Sequence, residues 1–350
     1  MELFLFNHQE YERLYNCTNL VIDSIPIENR RLTIEALINL ILGIIYFLLY
    51  LPCLYSIWKQ HWKNDCYTIL LYIGIVDLVA LLIIGFLHPI LALQGAVFCS
   101  YPTLIFFAGT LANFVWVAES SANLVLALNR CLQMFFRTVA EFLFKGIRIY
   151  IWLLFCTLYA LYCMFFIKPI LFSGIYFAWF FYPFVGYRED YGEFIFDSLP
   201  TYHNFILAVL SPAIYLIFAI ALLIKNQKYK QTTNLNNGNT HFSISHLERM
   251  VLLQVFVISL LNTTQCVFYI IMQYTATQQK WMSILAEFLW QVSTCFTFMA
   301  SIPPIIYLTL NKTIRNDCLH LYKIIRNNKV QQVNTILVQP AVPFNNQTRI

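Results

Sequence analysis

Charged residues are scarce in this chain. Asp, Glu, Lys and Arg together make up 11% of its 350 residues, where a soluble domain carries about a quarter. So few charges cannot coat a soluble protein of this size. Apolar residues account for 59%, which excludes a disordered chain, a nucleic-acid-binding protein and a secreted disulfide scaffold. Other absences exclude more. There is no phosphate-cradling glycine loop and no nucleophile elbow. The seven histidines (His8, His61, His88, His203, His241, His246, His320) are scattered, mostly in connections, and no pair sits within one apolar stretch at metal-ligand spacing. No metal site and no catalytic constellation is expected, so the chain reads as a non-enzyme. Met1–Phe6 lacks the basic start of a cleavable signal peptide and acidic residues follow it, so the first apolar helix is expected to act as an uncleaved anchor.

What is present is a series of long apolar runs. Seven are long enough to cross about 30 Å of hydrocarbon as helices: Ala36–Ile57, Cys66–Leu93, Ser100–Leu128, Ile149–Ile167, Tyr202–Ile224, Met250–Tyr274 and Ile284–Leu310. The runs are continuous rather than alternating, which argues against strands. The expected fold is all-α: a polytopic membrane protein, a seven-transmembrane helix bundle followed by a short amphipathic eighth helix. The organisation reads as an extracellular N-terminus (1–35), a transmembrane receptor domain (36–310), an amphipathic juxtamembrane helix (311–326) and a disordered cytoplasmic tail (327–350). In Asn311–Arg326, Ile314, Cys318, Leu321 and Ile325 share one helical face and basic residues fill the remainder. Such a helix lies on the lipid of an anionic inner leaflet. Cys318 is either a palmitoylation site or a plain apolar residue.

Placing the charges gives an orientation. The odd-numbered connections and the tail hold 16 of the 22 basic residues, and the N-terminus and even connections hold six. The basic side is cytoplasmic, so the N-terminus is expected outside and the C-terminus inside, in the plasma membrane. Asn16-Cys17-Thr18 is a glycosylation sequon on the outer side, with Asn16 as acceptor. Of the ten cysteines only Cys17 and Cys99 are clearly external. They are a candidate disulfide, the alternative being two free or buried thiols.

Ionisable groups inside spans are functional candidates by default. Asp77, Glu119 and Glu287 lie well inside, and Glu35 sits at an outer edge. Asp77 is 11 residues after Cys66 and Glu119 is 11 residues before Arg130, which puts both roughly 16 Å above the inner boundary. Either the pair shares a proton, or it holds a small cation such as a structural sodium ion, or each acid is hydrogen-bonded separately. Glu287 lies near the outer face, where it meets a cationic ligand group or is hydrated at the rim. Trp116, one turn above Glu119, and Trp290 are the other candidate pocket residues, with bundle packing as the alternative. The external stretch Phe172–Phe196 has 12 aromatic residues in 25 and reads as a lid over an apolar site or as an interfacial belt.

Local motifs resemble those of rhodopsin-like G-protein-coupled receptors. Leu128-Asn129-Arg130-Cys131 closes helix three where that family carries an acidic-Arg-aromatic triplet. Pro304-Ile305-Ile306-Tyr307 resembles its Asn-Pro-x-x-Tyr, and Ile73-Gly74-Ile75-Val76-Asp77-Leu78 resembles its sodium-site segment. More specifically, Tyr15-Asn16-Cys17, Leu49-Tyr50-Leu51-Pro52-Cys53-Leu54, Cys66-Tyr67, Cys99-Ser100-Tyr101-Pro102, Ala118-Glu119-Ser120 and Tyr202-His203-Asn204, in this order, resemble the nematode serpentine chemoreceptors of class T. The resemblance implies a chemosensory receptor, in the ciliary membrane of a sensory neuron, that binds a small-molecule odorant or pheromone and signals through a heterotrimeric G protein. A transporter or ligand-gated channel is the alternative. Arg130 would then be the coupling residue, with Glu248 on helix six as resting partner or as a solvated residue paired with Arg249. The chain departs from the rhodopsin-like pattern in three places. Asn129 stands where an acid would hold Arg130, Pro303 precedes Pro304 in place of asparagine, and helix six has no Pro or Trp.

Overall fold

The structure is a computed structural model that describes residues 1–18, 20, 22, 25–63, 65–188, 198–235, 260–271 and 280–301. Two short helices, α1 (Glu2–Phe6) and α2 (His8–Leu14), and a single turn, α3 (Ile27–Arg30), precede α4 (Thr33–Gln60). The second span is α5 (Asp65–Leu81), a π-helical turn at Leu82–Leu87, and α6 (His88–Leu93). Then follow α7 (Pro102–Phe135), α8 (Arg137–Phe144) and α9 (Ile147–Phe166), a hairpin of β1 (Leu171–Ser173) and β2 (Ala178–Phe180), and α10 (Ser198–Leu235). The described part ends with α11 (Leu260–Ile271) and α12 (Lys280–Ser301). Each long helix falls on one of the seven expected apolar runs.

Among the described residues, four helical stretches are long and apolar enough to cross a membrane, with mean hydropathy of 2.3, 2.7, 1.4 and 2.0 in chain order. Their burial separates them. In the most apolar window 61% of the residues are buried in the second and third, against 22% and 28% in the first and fourth. The second and third spans therefore form the centre of the bundle. The first and fourth turn Ile34, Leu48, Leu154 and Phe155 outward. Such a surface would be an adhesive patch in water and is the ordinary lipid-facing surface of a membrane helix.

Two departures from regularity have local causes. Pro89 has no amide hydrogen and its ring meets the carbonyl four residues back, at Gly85. The π turn absorbs that conflict. Gly85 also faces Gly43 of α4 so closely that a Cβ on Gly43 would lie 2.8 Å from the Gly85 Cα. Small residues here let two helix backbones touch. The third helix runs to Phe135, past the expected end at Leu128, so Asn129 and Arg130 are helical. Polar residues mark the edge of lipid, and a helix need not stop there.

The connection after α9 is the main surprise. Its antiparallel hairpin pairs Leu171 with Phe180, Phe172 with Trp179 and Ser173 with Ala178, and all six residues are buried. Phe172, Phe177, Trp179 and Phe184 belong to one apolar core together with Tyr11, Phe98, Phe106 and Trp290. The described part of the aromatic stretch, 172–188, is thus largely core and not an interfacial belt; its remainder, 189–196, lies outside the described residues. An isolated two-stranded hairpin is marginal in water; this one is held by its surroundings. Ser173 Oγ donates to Val185 O at 3.1 Å, and the Gly174 amide donates to Ala96 O at 2.8 Å. The N-terminal segment packs on the same core, with the Tyr11 and Phe106 ring centres 5.0 Å apart, and Cys17 is bonded to Cys99. The end of the bundle that carries the N-terminal segment and the hairpin is called the N-terminal face below.

Candidate functional site

Near the N-terminal face α7, α9, α10, α11 and α12 enclose a cavity of about 590 Å3, counted out to its mouth. Trp116 and Trp290 line it, edge to face with ring centres 6.4 Å apart. Other wall groups reach it from Asn113, Tyr159, Phe181, His203, Asn204, Gln265 and Tyr269. Among the described residues no Asp, Glu, Lys or Arg lies in the wall.

A relay of hydrogen bonds ties three helices together at this wall. Ser120 Oγ donates its one proton to Trp116 O at 2.7 Å. His203 Nε2, 2.9 Å from Ser120 Oγ, must then be the donor to it. That leaves His203 Nδ1 to accept from Tyr159 OH at 3.2 Å. Trp116 Nε1 donates to Asn204 Oδ1 at 3.1 Å. Both links join α10 to α7, and the histidine adds α9. A second cavity of about 320 Å3 shares Trp116 and Ser120 lining with this region and continues to Tyr215. The charge of Arg130 acts on that tyrosine.

Glu287 is enclosed, not hydrated at the rim. It is 1% exposed, because the hairpin folds over it. Its Oε1 accepts from Tyr269 OH at 2.8 Å and from the Trp179 amide at 3.3 Å. Its Oε2 lies 3.6 Å from His88 Nδ1. This contact is not an ion pair, since the Trp179 indole, which can only donate, already donates to that nitrogen at 3.0 Å. Glu287 is therefore a bolt between the hairpin, α11 and α12, one residue removed from the cavity through Tyr269.

Asp77 and Glu119 are buried on the two central spans, 0% and 3% exposed. The charge of Glu119 acts on Asp77. Tyr50 OH donates to Asp77 Oδ2 at 2.6 Å, while Asp77 Oδ1 and Glu119 Oε2 have no partner. Two buried carboxylate oxygens without donors are a donor set suited to a small hard cation. Asn129 is fully buried and both of its side-chain polar atoms lack partners. Among the described residues no cluster of three His, Cys, Asp or Glu that could hold a metal is found.

The family model for the serpentine type 7TM GPCR chemoreceptor Srt matches residues 1–332. The chain belongs to this family. Serpentine receptor class T-55 of Caenorhabditis elegans is 25% identical to it over 282 residues, covering 81% of this chain and 70% of that protein. This Srt-family chain is thus a polytopic helical membrane protein among serpentine chemoreceptors. Of its residues singled out from sequence, Trp116 and Trp290 come together at the cavity, Asp77 and Glu119 are both buried in the two central spans, and Glu287 belongs to a separate cluster with His88. Asn16 is exposed, and its Oδ1 accepts from the Thr18 amide and hydroxyl, both at 2.7 Å. Glu248, Pro304, Tyr307 and Cys318 lie outside the described residues. Sequence reasoning missed His88 and His203, which are in the bundle and not in connections, and also Tyr159, Gln265 and Tyr269. The motif Tyr202-His203-Asn204 was the one available signal, and it carried no role.

Proposed function

We propose that this Srt-family protein is a chemosensory G-protein-coupled receptor whose small-molecule ligand, an odorant or pheromone, occupies the cavity beside Trp116 and Trp290. Its N-terminus is outside the cell, its C-terminus is cytoplasmic, and it works at the plasma membrane, in the ciliary membrane of a sensory neuron. The observation that carries the reading is the cavity itself. Five helices converge on it, and its wall holds α10 through breakable links at His203 and Asn204. A ligand that binds better when those links have rearranged favours a displaced α10 in proportion to its differential affinity. The void between Trp116 and Tyr215 gives α10 room to move. The inner ends of α10 and the sixth span then part from α7, and Arg130 leaves its resting surroundings for a heterotrimeric G protein.

One positive charge, a proton or a sodium ion, offsets the repulsion between Asp77 and Glu119. Asp77 Oδ1 and Glu119 Oε2 are the atoms that would hold a sodium ion, which would supply that charge. The ion or proton favours the arrangement in which the two central spans are closest.

The test is expression in cells carrying a calcium or cyclic-nucleotide reporter, challenged with volatile and water-soluble odorants. An agonist response is expected that Arg130→Ala lowers at least tenfold at equal surface expression. A ligand-gated current that persists without G proteins would support a transporter or channel instead.

A further inference from the structure

The wall of the cavity constrains what it can hold. An ionised ligand would be taken out of water with no opposite charge from the described wall beside it, since among the described residues no Asp, Glu, Lys or Arg lines the space. Desolvating an unpaired charge is strongly unfavourable. The imidazole among the described wall residues, His203, has both nitrogens committed to Ser120 and Tyr159. Most of the remaining surface is aromatic or aliphatic.

Two wall residues break that pattern. Gln265 and Trp290 are 1% and 3% exposed, and Gln265 Oε1 and Trp290 Nε1 have no hydrogen-bond partner. Every other polar contact described at the wall is internal. Asn113 Nδ2 donates to Lys168 O, Trp116 Nε1 to Asn204 Oδ1, and Tyr269 OH to Glu287. A buried amide oxygen and a buried indole N–H without partners are each costly. They are complementary to each other's deficit: one needs a donor and the other needs an acceptor. A hydroxyl group is both at once.

We propose that the cavity takes an uncharged, largely apolar molecule bearing a hydroxyl group, which donates to Gln265 Oε1 and accepts from Trp290 Nε1. The proposal rests on the reading of this cavity as the ligand site. It ranks ligands of equal size. An alcohol satisfies both atoms, an aldehyde or ketone satisfies only Trp290, a hydrocarbon satisfies neither, and an anion or cation is rejected.

The test uses the full chain in lipid nanodiscs and five probes of one skeleton: benzyl alcohol, benzaldehyde, toluene, benzoate and benzylammonium. Binding is read from ligand-dependent thermal stabilisation. Affinity is expected to fall roughly three- to tenfold from alcohol to aldehyde and again from aldehyde to toluene, with no stabilisation by the two ions. In Gln265→Met the alcohol loses its advantage over the aldehyde. In Trp290→Phe the aldehyde loses its advantage over toluene. The ranking on the unmodified protein stands even where a variant fails to fold. Binding of benzoate or benzylammonium as tight as that of the alcohol overturns the proposal, as does a flat ranking or the failure of all three uncharged probes. A parallel reporter assay separates the two readings. The expected ranking without any signal from any agonist keeps the ligand class and defeats the receptor reading. Signals evoked solely by ions keep the receptor and defeat the ligand class.

Discussion

Glu287 shows how much one buried acid can organise. Its carboxylate accepts from a hairpin amide and from the Tyr269 hydroxyl of α11, so its removal strands two donors in the core. Glu287→Gln keeps an acceptor oxygen and is expected to cost about 1 kcal/mol or less. Glu287→Leu is expected to cost about 2–6 kcal/mol, because each of the two stranded donors is worth about 1–3. Thermal unfolding in nanodiscs measures both, and equal losses would show that the oxygen is not the fastener. At the bundle centre, Asp77→Asn and Glu119→Gln should not add. A coupling of about 1 kcal/mol or more is expected if the two buried charges act on each other as one network, and strict additivity would separate the two acids. A sodium-dependent stability that both variants abolish would choose the ion over the proton. These acids were legible because charge in an apolar run is rare and depth follows from the rise per residue. Gln265, His203 and Tyr159 were not legible. A neutral polar side chain in a span faces lipid, a neighbour or a cavity, and only the rotation of its helix says which.

Elements sit at their positions through close backbone approach as much as through side chains. A Cβ on Gly109 of α7 would overlap the carbonyl oxygen of Ile170, just ahead of β1. Gly109→Ala is therefore expected to abolish surface expression, since the obstruction is backbone. Gly146, ahead of α9, has φ of +68° and nothing within 4 Å of a built Cβ. Its ψ of −128° puts it in a positive-φ region that side chains avoid, so Gly146→Ala should cost that backbone strain alone, about 1–3 kcal/mol. Comparing the two by surface labelling tests whether contact or conformation governs. The spans were legible as elements because each must satisfy its own backbone in lipid, which leaves helix as the answer. The hairpin was not. Its strands are three residues each and buried throughout, so they show no alternation, and short apolar runs do not separate strand from loop.

For the whole molecule, the asymmetry of Lys and Arg is the source of the proposed orientation. Asn16→Gln is expected to remove one glycan-sized mobility shift on a gel of the cell-expressed protein, because Asn16 is exposed next to the Cys17–Cys99 bond. Thr18→Ala should do the same. No shift in the unmodified protein would count against an external N-terminus. That bond and the hairpin together close the N-terminal face over the core of Tyr11, Phe98 and Phe172.

Sequence alone determined the solvent of this protein and the succession of its spans. Scarcity of charge and the length of apolar runs are properties of each segment by itself, and transfer into lipid acts on each segment by itself. The presence of Asp77 and Glu119 within two apolar runs belongs to that part as well. Tertiary structure decided everything that needs two segments at once: the hairpin that buries Glu287, the relay from Tyr159 through His203 to Ser120, and the unpartnered Gln265 and Trp290 at one cavity. Their partners lie on helices far apart in sequence. Which faces meet depends on the rotation and crossing of packed helices, which hydropathy does not encode.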